Sequence, residues 1–189
     1  MLPRHCIAFL GTALLAQGEL VDVVRAVKAA LDRGAVQSIA LLDAATSRPV
    51  EIDFSGTEED VLQRIPRPRM PSASRPKLAV AAREVTLLPR HWEWLDTQPG
   101  GASVALRKLV ELAARDARGA DARRAARDAA YRFMQELMGD AAGFEEASRA
   151  LFAGDGERFT GLVEDWPAAV RAHLLALAGP AFAPPAAGA

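Results

Sequence analysis

Apolar and polar positions along the first 65 residues switch between two periods. Cys6-Ile-Ala-Phe-Leu10 is an unbroken apolar run, and Ala13-Leu-Leu-Ala-Gln17 follows it across Gly11-Thr12. Two short apolar runs around a glycine turn predict a buried β-hairpin. Arg4 and His5 ahead of the run also suit the charged start of a secretory leader. Leu14 fits the cleavage pattern poorly, where a small residue is required, and the hairpin is the better reading. From Leu20 the spacing becomes helical: Leu20, Val23, Val24, Val27 and Leu31 share one side, and Asp22, Arg25, Lys28 and Asp32 the other. Gly34 is placed to cap this helix.

The next stretch, SIALLDAATSRPVEIDF, holds two apolar runs around a polar turn with Ser47 and Pro49. Val50, Ile52 and Phe54 alternate with Glu51 and Asp53, the pattern of a half-buried strand. Thr57 then caps EEDVLQRI, whose Glu58, Glu59 and Asp60 suit the positive end of a helix dipole. Hairpin, glycine and helix thus occur twice, as an internal duplication would give. The expectation for residues 1–65 is a four-stranded antiparallel sheet with two helices.

Pro66, Pro68, Pro71 and Pro76 mark a proline- and arginine-rich linker over residues 66–77. A mainly helical module with one short strand is expected over 78–179, and a mobile tail without periodicity over 180–189. LAVAAREVTLL is its strand. Pro89 opens a short helix, Pro99-Gly100-Gly101 turns the corner, and Ser103 caps a helix bearing Leu106, Leu109, Val110 and Ala113. Gly119 is expected to break that helix. Asp121 opens the next, with Ala126, Ala130, Phe133, Met134 and Leu137 as its buried stripe. The fold class is α+β.

Composition narrows the functional classes. No apolar run approaches the ~20 residues of a membrane span, and the charged fraction of 25% is that of an ordinary soluble domain. A cytoplasmic location is expected, with no membrane partner. Cys6 is the single cysteine, so internal disulfides and cysteine-based zinc clusters are excluded. His5, His91 and His173 are far apart, without helical spacing, so no metal or cofactor is expected. No glycine-flanked serine elbow occurs, and Cys6 lies in an apolar run, so no catalytic residue is assigned.

Charge is unevenly distributed. Residues 1–65 hold six basic and nine acidic side chains, 66–138 fourteen and eight, and 139–189 three and seven, within a net charge of −1. A basic middle between acidic ends suits contact with nucleic acid, or neutralisation within the fold or across a homodimer. Arg115, Arg118, Arg123, Arg124 and Arg127 fit a mixed-charge solvated face, with Arg124 and Asp128 at pairing distance along a helix. His91, Trp92, Glu93 and Trp94 form a dense cluster. His91 and Trp94 are the candidate pocket residues of a ligand or catalytic cleft, whereas Trp92 and Leu95 share a face suited to core packing.

RPKLAVAAREVTLLPRHWEWLDTQPGGASVALRKLVELA, AYRFMQELMGDAAGFEEASRALFAGD, WPAAVRAHLLALA and DAATSRPVEIDF resemble an uncharacterised bacterial family, domain of unknown function 2239. The resemblance implies a bacterial protein of one conserved length and brings no activity. Within it, REVTLL, proline, short helix, glycine turn and ASVALRKLV resemble the ribbon-helix-helix unit. That likeness implies two chains pairing strands into a ribbon for the major groove, with a helix N-terminus on phosphate. Aligned at Pro89, it would put Arg83, Val85 and Leu87 toward DNA and Glu84 and Thr86 in the core. Arg83, Arg90, Ser103, Arg107 and Lys108 are then the candidate nucleic-acid contacts. A base-reading face wants polar side chains, and Val85 and Leu87 are apolar, so a dimerisation ribbon is the other outcome. The expected function is a non-enzymatic interaction protein that self-associates, with a nucleic-acid-binding regulator and a ligand-binding or catalytic cleft near His91 as alternatives.

Overall fold

The apolar run at the N-terminus becomes the central strand of a sheet because it has no polar face to give to water. In the computed structural model, which describes residues 2–65 and 83–184, β1 (His5–Leu10) pairs antiparallel with β2 (Ala13–Glu19) and with β3 (Ile39–Asp43). The strand order is β2-β1-β3. Gly11 turns the hairpin at φ +58°, and Leu15 is the extra residue of a bulge opposite Ala8 and Phe9.

Alternation along β1 assigns side chains to two different cores. Cys6 and Ala8 join Leu41 of β3, Val50, and Leu20, Val23, Val24 and Val27 of α1 (Leu20–Asp32). Ile7 and Phe9 face the other way with Leu42, into a cluster built from the C-terminal helices. A strand apolar on both faces must be covered on both faces. The helical stripe of α1 is the predicted one over Leu20, Val23, Val24 and Val27, but Leu31 stays exposed and Lys28, expected on the polar side, is buried and pairs with Asp32. Gly34, at φ +81°, ends the helix, Ala35 N–H donating to the Ala30 carbonyl and Gly34 N–H to that of Leu31. Helix α2 (Glu58–Arg64) carries the expected cap, Thr57 Oγ1 accepting from Asp60 N–H while the Asp60 carboxylate accepts from Thr57 N–H at 2.9 Å.

The remaining helices are α3 (Pro89–Asp96), α4 (Ala102–Met138), α5 (Phe144–Ala153), α6 (Gly156–Leu162) and α7 (Ala168–Ala178), followed by a 3-10 turn, Gly179–Phe182. Phe133 and Met134 of α4, Leu151 of α5, Phe159 of α6, and Val170 and Leu174 of α7 make the second core, wholly buried. Phe9 and Phe133 meet edge to face with ring centroids 5.5 Å apart. Asp155 caps α6 by accepting from Arg158 N–H at 3.1 Å.

By packing, Met1–Pro66 with Ala120–Ala189 form one compact unit and Arg67–Gly119 another. The first unit joins the sheet to the C-terminal helices.

Several sequence expectations are corrected. Three strands form among the described residues, not four. The turn after β3 forms as expected, with Asp43 Oδ1 accepting from Ala45 and Thr46 N–H, and one bridge joins Leu42 to Pro49. Beyond Val50, whose N–H donates to the Leu41 carbonyl, the chain leaves the ladder. Pro49 has no N–H to give, and Arg64 takes the carbonyls of Asp53 and Ser55 at 2.9 and 2.7 Å, so residues 51–54 bond to a side chain instead of a strand. Residues 83–88 form no strand, and the rest of the expected strand, with the linker, lies outside the described residues. Gly119 falls inside α4, and Ser103 lies in its first turn without capping it. The tail is ordered as far as Ala181, which is buried, and Phe182, which packs on Phe159 with centroids 5.4 Å apart. Its last five residues lie outside the described ones.

Candidate interaction surfaces

Helix α3 begins as predicted, with Pro89 in the first turn, where its missing N–H costs nothing. Its end is held by Thr97 Oγ1, which donates to the Trp94 carbonyl at 2.7 Å. Gly100 and Gly101, at φ +87° and +75°, turn the corner into α4, as expected for a helix-to-helix turn. In this unit Leu95 is buried, at 2% exposure, and so is Ala105. Trp92 is not the core residue its spacing suggested: it stands 38% exposed although it shares a face with the buried Leu95. Trp94, Val110 and Leu112 are 51%, 63% and 53% exposed, and Val85, Leu88 and Leu109 are exposed as well.

The candidate nucleic-acid contacts lie on the same unit. Arg83 precedes α3, Arg90 sits on it, and Ser103, Arg107 and Lys108 occupy the first two turns of α4, all exposed. Arg107 Nε donates back to the Ser103 carbonyl at 3.1 Å. Among the described residues none of the four cations meets a carboxylate within 4.0 Å. His91 and Trp94, the candidate pocket pair, are exposed on α3 and line none of the four grooves found among the described residues.

Basic residues further along α4 are engaged within the first unit. Arg124 pairs with Asp121 and not, as expected, with Asp128. Arg127 stands over the Phe152 ring at 6.0 Å, and Arg132 Nε donates to the Thr46 carbonyl at 2.9 Å.

A second surface was not visible in the sequence. β3 is an edge strand. Its outward groups are those of the odd-numbered residues, since Leu41 O accepts from Val50 N–H and Asp43 N–H donates to Arg48 O. Val50 makes the last such bond, and on the outer side of Ile39 and Leu41 the backbone N–H groups have no backbone partner among the described residues. There the chain from Glu51 to Phe54 diverges and leaves a groove of about 800 Å³. Leu31, Ile39, Val50, Ile52 and Phe54 form its apolar walls, and Glu51, Asp53 and Glu136 its polar ones.

The titratable groups with shifted values sit inside the first unit. Burial, with the Asp43 charge adding to it, pushes the Cys6 thiol from 9.0 up to about 11, which keeps it protonated and unreactive near neutral pH. Burial lowers His173, whose ring lies edge-on to Phe133 with centroids 4.8 Å apart. No group of three or more His, Cys, Asp or Glu residues able to hold a metal ion occurs among the described residues. Among them, too, no helix is long and apolar enough to cross a membrane.

Comparison with known proteins adds one match. A family model described as "Uncharacterized protein conserved in bacteria (DUF2239)" matches residues 5–178. No curated protein and no solved structure matches the chain.

Proposed function

We propose that this chain, which belongs to the bacterial family DUF2239, is a non-enzymatic interaction protein that self-associates through the Arg67–Gly119 unit. The family's description assigns no activity, so none is carried over. The observation that carries the reading is the exposure of seven large apolar side chains in that unit, Val85, Leu88, Trp92, Trp94, Leu109, Val110 and Leu112. Leu109 and Leu112 lie three apart on one side of α4, and exposed apolar side chains that adjoin mark a surface that meets a partner.

A second copy is the partner that the face of α4 fits. Residues 105, 108, 109, 112 and 116 fall on one side of the helix. Two such helices crossing antiparallel at Leu112 would set Lys108 against Asp116 of the partner subunit, and the reverse, so one patch answers itself about a two-fold axis. Among the described residues neither Lys108 nor Asp116 has an ion partner within its own chain.

The test is the mass in solution of the purified protein and three variants. The wild type is expected to be a dimer, and Leu112→Glu a monomer with unchanged circular dichroism, since this side chain leaves no core. Lys108→Asp is expected to weaken the dimer and Lys108→Asp with Asp116→Lys to restore it. A wild type that stays monomeric, or a dimer indifferent to Leu112→Glu, overturns the reading.

A nucleic-acid-binding regulator is the second reading, favoured by Arg83, Arg90, Arg107 and Lys108 standing exposed without carboxylate partners among the described residues. Four phosphate contacts would make the logarithm of affinity for duplex DNA fall with the logarithm of salt at a slope of about −3.6. Retention on mixed-sequence duplex across a salt series measures it, and a protein that ignores DNA at low salt removes this reading.

A further inference from the structure

We propose that the free edge of β3 captures an extended, basic peptide segment by strand addition. The site is separate from the self-association face and does not depend on it.

An edge strand with unpaired backbone groups is a template for another strand, and folded proteins usually blunt or cover it. β2, at the other edge of the sheet, carries no groove among the grooves described except at Thr12 beside it. At β3 the groove runs along the edge itself. The bond from Val50 N–H to the Leu41 carbonyl closes one end. Beyond it the chain at 51–54 moves away, held by Arg64 through the carbonyls of Asp53 and Ser55. The space left lies beside Ile39, Ala40 and Leu41, a run of three residues or about 10 Å of strand at ~3.3 Å per residue. A peptide of three to four residues can lie there, exchanging backbone hydrogen bonds with Ile39 and accepting one from the Leu41 N–H, whose carbonyl already accepts from Val50.

The walls specify its side chains. In a strand, successive side chains point to opposite faces. Residues of the peptide on one face would meet Leu31, Ile52 and Phe54. Charge decides the rest: Glu51, Asp53 and Glu136 line the groove, and no Lys or Arg lines it. Asp53 already has Arg64 at 3.4 Å, but Glu51 and Glu136 have no cationic partner among the described residues. An incoming lysine or arginine supplies that missing charge, whereas an acidic strand would meet three carboxylates. Strand addition of this kind takes affinity from main-chain bonds and selectivity from alternate side chains.

The experiment uses the full chain and a fluorescein-labelled peptide of alternating lysine and valine. Controls are the same peptide with glutamate for lysine, and one N-methylated at alternate residues so that it cannot pair as a strand. Anisotropy is expected to rise with the lysine peptide and to stay flat with both controls. Glu51→Lys with Glu136→Lys, both exposed positions, is expected to weaken binding by about tenfold or more. Amide exchange at Ile39 and Leu41 is expected to slow when the lysine peptide is bound. No binding of the lysine peptide, equal binding of the N-methylated one, or binding untouched by the double reversal overturns the proposal. Failure here leaves the dimer of the preceding section standing, since that is read from mass alone.

Discussion

Replacing Phe133 with alanine should loosen the N-terminal sheet as much as the C-terminal helices it sits among. Phe133 is wholly buried on α4, against Phe9 of β1 with ring centroids 5.5 Å apart and planes at 63°. Removing a buried phenylalanine ring costs about 3–5 kcal/mol, and an aromatic pair of this geometry couples its two members by about 0.5–1.5 kcal/mol. Cys6 gives the readout. It is the only cysteine, lies on the same strand, and faces the other core with Leu20, Val23 and Val24. Its thiol is wholly buried, so an aromatic disulfide reagent reaches it only when the sheet opens. If sheet and helices open together, the loss translates to labelling faster by roughly two to three and a half orders of magnitude, a factor of ten for each ~1.4 kcal/mol. The double variant with Phe9→Ala should cost less than the sum of the singles by the coupling energy. Phe133→Leu, a milder loss, serves if the alanine variant does not fold. Cys6 labelling unchanged in a folded Phe133 variant would show that the sheet stands by itself, and the reasoning from a shared core would be wrong.

Four further outcomes follow from local features. Thr57→Ala removes one half of the capping box of α2 and is expected to lower stability by about 1 kcal/mol in urea titration; no change would mean that the cap is idle. The hydrogen bonds of Thr57 to Asp60 and of Ser55 to Asp53 hold these two carboxyls below the usual 3.8. Their contribution is present above that value and lost as pH falls through the lower folded values, so Asp60→Asn, which removes one titrating group, should flatten the acid limb of stability against pH. Burial lowers His173 from 6.5, so its contribution is complete above pH 6.5 and declines as pH falls toward the folded value. His173→Phe should remove that decline, and a decline that persists would assign it to another group. Cys6 is raised from 9.0 to about 11, so its contribution holds below pH 9 and is lost between those values; Cys6→Ala should lack this alkaline step.

Local signals in the sequence were sufficient where the physics is local. The stripe of α1, the glycine that ends it, the Thr57 cap, Pro89 at the start of α3 and the glycine corner at 100–101 all depend on neighbours within a few residues. Cys6-Ile-Ala-Phe9 also carried its message, because a strand with no polar position needs cover on both faces. What the residues could not name was the cover. Phe133, Leu151 and Leu174 lie more than a hundred residues away, and any apolar helical stripe would have served as well on pattern alone. The alternation of Val50, Ile52 and Phe54 has the pattern of a strand, since alternate burial is what period two reports. Whether such a segment also joins a ladder depends on who takes its carbonyls, and Arg64 takes that of Asp53, with that of Ser55 just beyond.

The candidate surfaces divide in the same way. Arg83, Arg90, Arg107 and Lys108 could be found as cations in a basic stretch, and the structure adds that all four are exposed. The groove beside β3 had no signature, because an edge strand and a central strand are spelled with the same residues. Hydrophobic period, turn chemistry and capping act over one to four positions, and the sequence by itself determined these. Which faces meet, which strand is left at the edge and which carboxylates end beside it were decided only when distant segments closed over one another to bury their apolar sides.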